Sequence, residues 1–315
     1  MCSSDLPLFL TRSPSKDFKF LQEKLESKLA GWRSRTLSWA SRSTLITSVA
    51  QAIPSYTLSA FHIPTKNCDK LDSMTRRFWW KPKEKEGRFI AWKQWDKLCR
   101  PKAAGGLGFK KTKEVNVALL AKVAWMVASG KHSICMEVLR NKYKVKEDWL
   151  RANPKKIASL TWRGIEEAKK LIVKGACYLL GDGNSISVWE DPWVPWIEGF
   201  KPRLKVEVYS QLHFKAHHFI DSTSKSWDVN MIKEIFYSDS AVAILTIPIP
   251  STPRQDKMIW LPKISLSSLS IRWRFIMLTT MIKLNPIGNI YGKLNSLNAS
   301  KCSYGGLVPM PCLIR

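Results

Sequence analysis

Residues 112–128 read TKEVNVALLAKVAWMVA, and this stretch governs how the rest of the sequence is interpreted. It is apolar nearly all round a helical projection apart from Lys122, a pattern typical of a helix that is buried rather than lying on the surface. A buried helix must be covered by other elements. The sequence therefore predicts a mainly α protein built from small helical bundles.

Amphipathic helices are predicted on both sides of this segment. Phe18, Leu21, Leu25 and Leu29 recur at steps of three and four residues after Ser15, a candidate N-cap, and Gly31 offers a C-terminal stop. A second helix over 39–52 must end before Pro54 and places Leu45, Val49 and Ala52 on one face. Further helices are predicted over residues 67–80, 132–143 and 159–173.

Two glycine-containing segments interrupt the helical pattern. Gly105–Gly108 predicts a bend between helical units, and the lysines around it, including Lys113, would let its amides approach a nucleic-acid backbone. No Lys-Ser/Thr follows in the spacing of a nucleotide-binding loop, which favours a simple turn. Tyr178–Leu180 and Ile186–Trp189 flank Gly181–Asn184, which predicts a short β-hairpin. Trp189, Trp193 and Trp196 are interpreted as packing residues.

The charge balance points to a polyanionic partner. Lys and Arg outnumber Asp and Glu by 51 to 25, which gives a formal net charge of +26 and an isoelectric point near 9.9. Nucleic acid is the natural partner for such a surface, because each neutralised phosphate releases counterions. An anionic membrane surface is the alternative, although the interrupted apolar stretch at 44–63 does not predict a transmembrane span.

The cysteines and the N-terminus bear on the compartment. The seven cysteines are scattered and form no Cys-x-x-Cys pair, which indicates reduced thiols rather than a zinc knuckle. Cys135 and Cys177 are interpreted as buried structural residues. Residues 1–10 lack a basic segment and a cleavage site, so no secretory signal is predicted. We expect an intracellular protein, in the nucleus or the cytoplasm.

No catalytic or metal-binding residues are predicted, and no cofactor is expected. Template-directed nucleotidyl transfer needs clustered carboxylates that hold Mg²⁺, and the sequence contains no Asp-Asp pair. His213, His217 and His218 would supply too few ligands for closed metal coordination and are interpreted as exposed side chains.

Residues 76–81 read RRFWWK and alternate cations with large aromatic rings, a composition that favours single strands or hybrid duplexes. On helical spacing, Arg76 and Arg77 cannot both be buried with Phe78. We therefore expect an aromatic core with a cationic rim, in which Arg76, Arg77, Lys81 and Lys83 are candidates for phosphate contact. A solvated charged face remains the alternative.

Several blocks in the same order give the sequence a family resemblance. They include Leu29–Trp32, Leu37–Ile46, Ala52–Tyr56, Arg76–Trp80, Leu98-Cys99, Gly105–Gly108, Ala118–Lys122, Lys142-Tyr143, Trp162-Arg163 and Gly181–Gly183. Over about residues 7–260 the chain resembles the segment that follows the polymerase core in the reverse transcriptases of plant LINE-type (non-LTR) retrotransposons. The fingers, palm, zinc-binding domain and ribonuclease H-like domain of that family are not recognisable in this sequence.

The resemblance implies an organisation along the chain. It implies a helical thumb-like region over 1–80, a basic connector over 81–113 and a helical region with the hairpin over 114–200. A partial linker toward an absent zinc-binding domain would occupy 201–260, and a disordered or aberrant tail, left by a frameshift, retained intron or truncation, would occupy 261–315.

The resemblance also implies a function. Intact members would use this region to hold template RNA and primer DNA, so residual sequence-tolerant binding of RNA or DNA through phosphates is expected. A separately encoded polymerase core is a conceivable partner, no membrane role is favoured, and the oligomeric state is left open. The alternative is a non-functional remnant or a protein-interaction scaffold. The candidate contact residues are Arg33, Arg35, Arg42, Arg76, Arg77, Lys81, Lys102, Lys110 and Lys111.

Overall fold

The computed structural model describes residues 11, 13–83, 87–155, 157–205, 212–221, 223–252 and 254–261, and across them the chain is mainly α-helical, as predicted. The α-helices are α1 (Pro14–Asp17), α2 (Lys19–Arg33), α3 (Trp39–Leu45), α4 (Ser55–Ala60), α5 (Thr65–Trp80), α6 (Trp95–Leu98), α7 (Thr112–Ala128), α8 (Ile134–Tyr143), α9 (Leu160–Val173), α10 (Val229–Ile235) and α11 (Ser238–Leu245). A π-helix spans Ile46–Ala50, and 3-10 helices span Lys102–Ala104, Glu147–Leu150, Glu198–Phe200 and Ala216–Phe219. The strands are β1 (Ala176–Leu179), β2 (Ile220–Asp221), β3 (Ser226–Trp227) and β4 (Lys257–Trp260). From residue 262 onward, the tail predicted to be poorly ordered lies outside the described residues.

The first core forms where α2 packs against α5. Leu21, Leu25 and Leu29 are buried along one face of α2, as their spacing predicts. The predicted helix boundaries are wrong at both ends. Ser15 lies inside the separate short helix α1, because Pro14 at its first position is already fixed in a helical φ. Gly31 does not stop α2, which runs on to Arg33, since an exposed glycine weakens a helix without ending it.

The second predicted helix is confirmed in position, but its buried face is wrong. After α3 the backbone widens into the π-helix, in which the amide of Gln51 donates to the carbonyl of Ile46 at 3.0 Å. A turn of that width rotates the following side chains relative to an α-helix. Ile46 and Ala50 are therefore buried, whereas Ala52, which was predicted to share a buried face with Leu45 and Val49, is exposed.

Helix α7 has the predicted bounds, Thr112–Ala128, and lies between two cores. It packs against α4 and α5 on one side and against α9 on the other. Asn116 is buried in α7 and bonds to the corner between α4 and α5. Its Oδ1 accepts from the amide of Ile63 at 2.9 Å, and its Nδ2 donates to the carbonyls of Leu58 and Phe61, each at 2.7 Å. One amide side chain thereby satisfies three backbone groups that the helix break leaves without partners.

The hairpin predicted around Gly181–Asn184 is wrong in its pairing. Strand β1 pairs antiparallel with β4, with Ala176 opposite Trp260 and Leu179 opposite Lys257, and not with Ile186–Trp189. Sequence patterns report strand propensity but not a partner about eighty residues away. The only short hairpin among the described residues joins β2 and β3, where Ile220 lies opposite Trp227.

A third core fills the segment between β1 and β4. It gathers the buried side chains of Trp193, Phe219, Phe236 and Ile244 around α10 and α11. Of the three tryptophans predicted to pack, Trp193 is buried and Trp189 is partly buried, but Trp196 is exposed. Residues 201–260 thus contain helices and strands of their own.

Candidate nucleic-acid interface

The C-terminal end of α5 separates aromatic from cationic side chains. Phe78 is fully buried and Trp79 is nearly so, whereas Arg76 and Arg77 are half-buried at the surface. The expected aromatic core with a cationic rim is therefore present. We call Arg76, Arg77 and Lys81 the α5 rim; Lys81 caps the helix, and its amide donates to the carbonyl of Arg77 at 2.8 Å.

A loop after α5 holds the two arginines in place. The guanidinium carbon of Arg77 lies 4.9 Å from the ring centroid of Phe89, and that of Arg76 lies 6.0 Å from it. Arg77 also donates through Nη1 to the carbonyl of Gly87 at 2.7 Å. Cation–π contact and this hydrogen bond limit the arginine side chains to few conformations, which lowers the entropy cost of contacting a phosphate.

Two large apolar side chains on the same loop project into solvent. Trp92 is 84% exposed and Ile90 is 81% exposed. Trp92 is not among the nine candidate contact residues predicted from the sequence. The available signal was its position between Arg88 and Lys93, since an exposed ring among cations is a typical stacking platform for single strands.

Arg42 has an internal role in the fold. Its guanidinium carbon lies 3.7 Å from the ring centroid of Trp39, and its Nη1 donates to the carbonyl of Trp79 at 2.5 Å. Burial lowers the pKa of Arg42. Because the last carbonyls of a helix have no partner within it, Arg42 satisfies the end of α5. Its charge therefore adds to the positive electrostatic potential of the region, and its guanidinium group is not placed to contact a phosphate directly.

Arg33 and Lys111 are paired with carboxylates. Both terminal nitrogens of Arg33 contact Glu26, at 2.5 and 3.3 Å, in a largely buried pair. Lys111 lies between Asp96 at 2.8 Å and Glu114 at 3.7 Å, and the hydrogen bond with Asp96 raises the pKa of Lys111. A phosphate would have to compete with these carboxylates for either cation.

The other candidate cations are exposed and unpaired. Arg35, Lys102 and Lys110 make no side-chain hydrogen bond or ion pair with any described residue. The nine predicted residues therefore fall into two groups, cations with partners inside the protein and cations at the surface. Among the surface cations, Arg76 and Arg77 are brought together around the ring of Phe89.

The amides of the Gly105–Gly108 loop do not face a ligand, which corrects the prediction that they would approach a nucleic-acid backbone. The amide of Leu107 donates to the carbonyl of Leu98 at 2.9 Å, and that of Gly108 to the carbonyl of Arg100 at 2.9 Å. The amides of Gly105 and Gly106 are bonded in the same way to residues 102 and 101. Any contribution of this loop to phosphate binding comes from its lysines.

Groups of three or more metal-ligating side chains are absent from the part of the chain that the structure describes. His213 and His218 are exposed, as expected, and His217 is half-buried. Cys177 is buried, and burial raises the pKa of its thiol. Cys135, predicted to be buried, is exposed on α8 together with Ile134 and Val138, whereas the adjacent Met136 faces the core. No described helix is both long and apolar enough to cross a membrane.

The fold and the surface together define a mainly helical, strongly basic protein, and comparison with known proteins places it among plant proteins. The chain is 35% identical over 195 residues to the putative ribonuclease H protein At1g65750 of Arabidopsis thaliana, an alignment that covers 60% of this chain and 31% of that protein. It is 34% identical over 144 residues to the uncharacterized mitochondrial protein AtMg00310 of the same plant, an alignment that covers 45% of this chain and 93% of that protein.

Because the alignment spans almost the whole of the mitochondrial protein, the chain belongs to the same family as AtMg00310. It spans about a third of the length of the putative ribonuclease H protein. No protein-family model matches the chain, and no solved structure does.

Proposed function

We propose that this chain corresponds to the segment after the polymerase core of a plant LINE-type reverse transcriptase, and that it binds RNA or DNA without sequence preference. Two observations support the proposal. The ordered blocks from Leu29 to Gly183 resemble that segment. One plant relative is named as a putative ribonuclease H protein, which is consistent with a nucleic-acid context.

The observation that carries the proposal is the α5 rim beside Trp92. Arg76 and Arg77 are held over Phe89, and a tryptophan that is 84% exposed lies three residues further along the same loop. Guanidinium groups would contact successive phosphates, and the indole would stack on an unpaired base. Neither contact reads base identity, so the binding would be sequence-tolerant.

The remaining surface cations would extend this interface. Arg35, Lys102 and Lys110 are available to phosphates. Arg42 adds its positive charge from inside the fold, whereas the charges of Arg33 and Lys111 are largely offset by their carboxylate partners. Polymerisation is not part of the proposal, because the described residues offer no cluster of carboxylates for Mg²⁺. A separately encoded polymerase core would supply that chemistry.

Salt dependence of binding to a labelled single-stranded oligonucleotide tests the proposal. The wild-type protein should bind with an affinity that falls steeply with salt. The double variant Arg76→Gln/Arg77→Gln should lower the logarithmic salt slope by roughly 0.7 for each phosphate that it no longer neutralises. Trp92→Ala should weaken binding by about 1–3 kcal/mol while leaving the slope unchanged, because stacking releases no counterions.

The matched control is Lys66→Gln/Lys70→Gln, which removes the same charge from exposed positions at the other end of α5. An equal decrease of slope in this control would show that net charge, not the α5 rim, governs binding. Flat salt dependence of the wild type, or an aggregate indifferent to nuclease, would instead favour the remnant or scaffold alternative.

A further inference from the structure

A basic cavity separate from the α5 rim lies between the end of α8 and the start of α9. Its volume is about 360 Å³, and three lysines line it: Lys142, Lys144 and Lys155. No carboxylate is among the described lining residues, and none of these lysines forms an ion pair with a described residue. Like charges gathered in a concave surface repel one another, so the cavity would be stabilised by a bound anion.

The backbone explains why the lysines face one space. Helix α8 ends at Tyr143, and Lys144 adopts a left-handed conformation with φ 48°, which turns the chain sharply out of the helix. Residues 157–158 then return to Ser159, the N-cap of α9. Cations near a helix C-terminus interact favourably with its dipole, which accounts for Lys142 and Lys144 but not for Lys155.

The hydroxyl group of Ser159, which is exposed to solvent, lies at this cavity. Tyr143 donates its phenolic hydrogen to Oγ of Ser159 at 2.8 Å, and the amide of Trp162 donates to the same oxygen at 3.2 Å. Ser159 Oγ thus accepts two hydrogen bonds, and its own hydrogen is free to donate to solvent or to a bound ligand. The Tyr143 ring stacks on Trp162, with centroids 4.1 Å apart. This stacking fixes the position of the Tyr143 hydroxyl beside Ser159.

We infer that this cavity binds one phosphate group of a polynucleotide backbone, with the three lysines neutralising its charge and the Ser159 hydroxyl donating to one of its oxygens. This inference rests on the proposed function and adds a second contact region to it. A phosphate matches the site because it carries several acceptor oxygens on one centre, which lets three ammonium groups and a hydroxyl engage it together.

The neighbouring surface suits a nucleic-acid chain rather than an isolated ion. Ile157, which lines the mouth, is 96% exposed, so a sugar or base attached to the bound phosphate would meet an apolar side chain. The cavity is also connected to the α5 rim through the fold, since α9 packs on α7 and α7 packs on α5.

The test compares two triple variants of equal net charge in the full chain. Lys142→Gln/Lys144→Gln/Lys155→Gln removes the cations of the cavity, and Lys66→Gln/Lys70→Gln/Lys174→Gln removes three exposed lysines elsewhere. For a labelled single-stranded oligonucleotide, the cavity variant should lose about 0.7 in logarithmic salt slope and several-fold in affinity at low salt. The control should change much less. Circular dichroism of both variants checks that the helices are retained.

The outcomes separate this inference from the proposed function. If the wild type shows no salt-dependent binding, the proposed function fails, and this inference fails with it. If the wild type and Arg76→Gln/Arg77→Gln behave as proposed but the cavity variant matches its control, only this inference is overturned. Competition by inorganic phosphate tests whether the cavity is the phosphate site. If inorganic phosphate displaces the oligonucleotide equally from the wild type and from the cavity variant, the cavity is not that site, and this inference is overturned.

Discussion

The two glycine loops look alike in sequence but use their amides differently. In the loop at 105–108, each amide donates to a backbone carbonyl between residues 98 and 102. In the loop at 181–185, three amides converge on one carboxylate, that of Asp256, at 2.7 to 3.0 Å, and Ser185 adds its hydroxyl at 2.8 Å. The second loop is an anion-binding arrangement whose anion is part of the protein. Glycine spacing alone thus does not distinguish a ligand site from a structural one.

Each loop also contains a glycine that close packing requires. A Cβ at Gly106 would lie 2.0 Å from the carbonyl oxygen of Arg100, and one at Gly181 would lie 2.2 Å from that of Arg254. Gly105, in contrast, has open space around it and is required only by its φ of +74°. These differences allow three predictions, given from the largest expected effect to the smallest.

The largest effect is expected from Gly181→Ala. The added methyl group would push the loop away from residues 254–255 and so disturb the approach of β4 to β1. We expect a loss of about 3 kcal/mol or more in the free energy of unfolding, measured by chemical denaturation. Gly105→Ala is the matched control and should cost about 1–2 kcal/mol, from its left-handed backbone alone. Equal costs would contradict the distinction between close packing and backbone strain.

Asp256→Ala should have the next largest effect. The substitution leaves the amides of Gly181, Gly183 and Ser185 without their common acceptor, in a half-buried position where water replaces it only in part. We expect a loss of about 2–3 kcal/mol in the free energy of unfolding. Asp256→Asn retains one carbonyl oxygen and should recover part of that loss. An alanine variant as stable as the wild type would show that the loop closes without its internal anion.

The smallest effect is expected from Asp72 on α5, whose carboxylate bonds to the start of α7. Its Oδ1 accepts from the amide of Thr112 at 3.1 Å and from the Thr112 hydroxyl at 2.6 Å, at the start of α7. Burial raises the pKa of Asp72 to about 6, although these hydrogen bonds oppose the rise. Because the folded state then binds the proton more tightly than the unfolded state, this group adds stability as the pH falls through that value.

Comparison of the wild type with Asp72→Asn isolates this contribution, since both share all other titrating groups. The free energy of unfolding of the wild type relative to the variant should rise by roughly 2 kcal/mol between about pH 7 and about pH 4. Denaturation curves across that range measure the difference. A difference that does not change with pH would mean that Asp72 titrates alike in the folded and unfolded states.

The sequence predicts local features of the fold better than distant ones. The bounds of α7 follow from its own apolar pattern, and α9 begins where Ser159 caps it. Those signals lie within one or two helical turns. The pairing of β1 with β4 has no comparable signal, since the partner lies beyond a complete hydrophobic core. The π-helix after α3 was likewise not predictable from the spacing of Leu45 and Val49.

The candidate interface also has features that the local sequence predicts and contacts that it does not. The alternation of arginine and aromatic residues in α5 predicts a buried side and a cationic side, and both are present. Charge alone could not predict that Arg42 bonds to the carbonyl of Trp79 or that Arg33 pairs with Glu26, because both partners are brought together by folding. The cavity at Lys142 and Lys144 is also lined by Lys155, which the folded segment between α8 and α9 brings to it.

Because β1 pairs with β4, residues 180–256 form an insertion whose two ends lie close together. The residues that flank it, Leu179 and Lys257, lie opposite each other on the paired strands, about 5 Å apart. Changes in the length of its internal loops should therefore leave α2 to α9 in place and should cost chiefly the entropy of closing a longer or shorter ring. Such a layout would let this part of the molecule diverge in sequence while both basic regions keep their mutual placement.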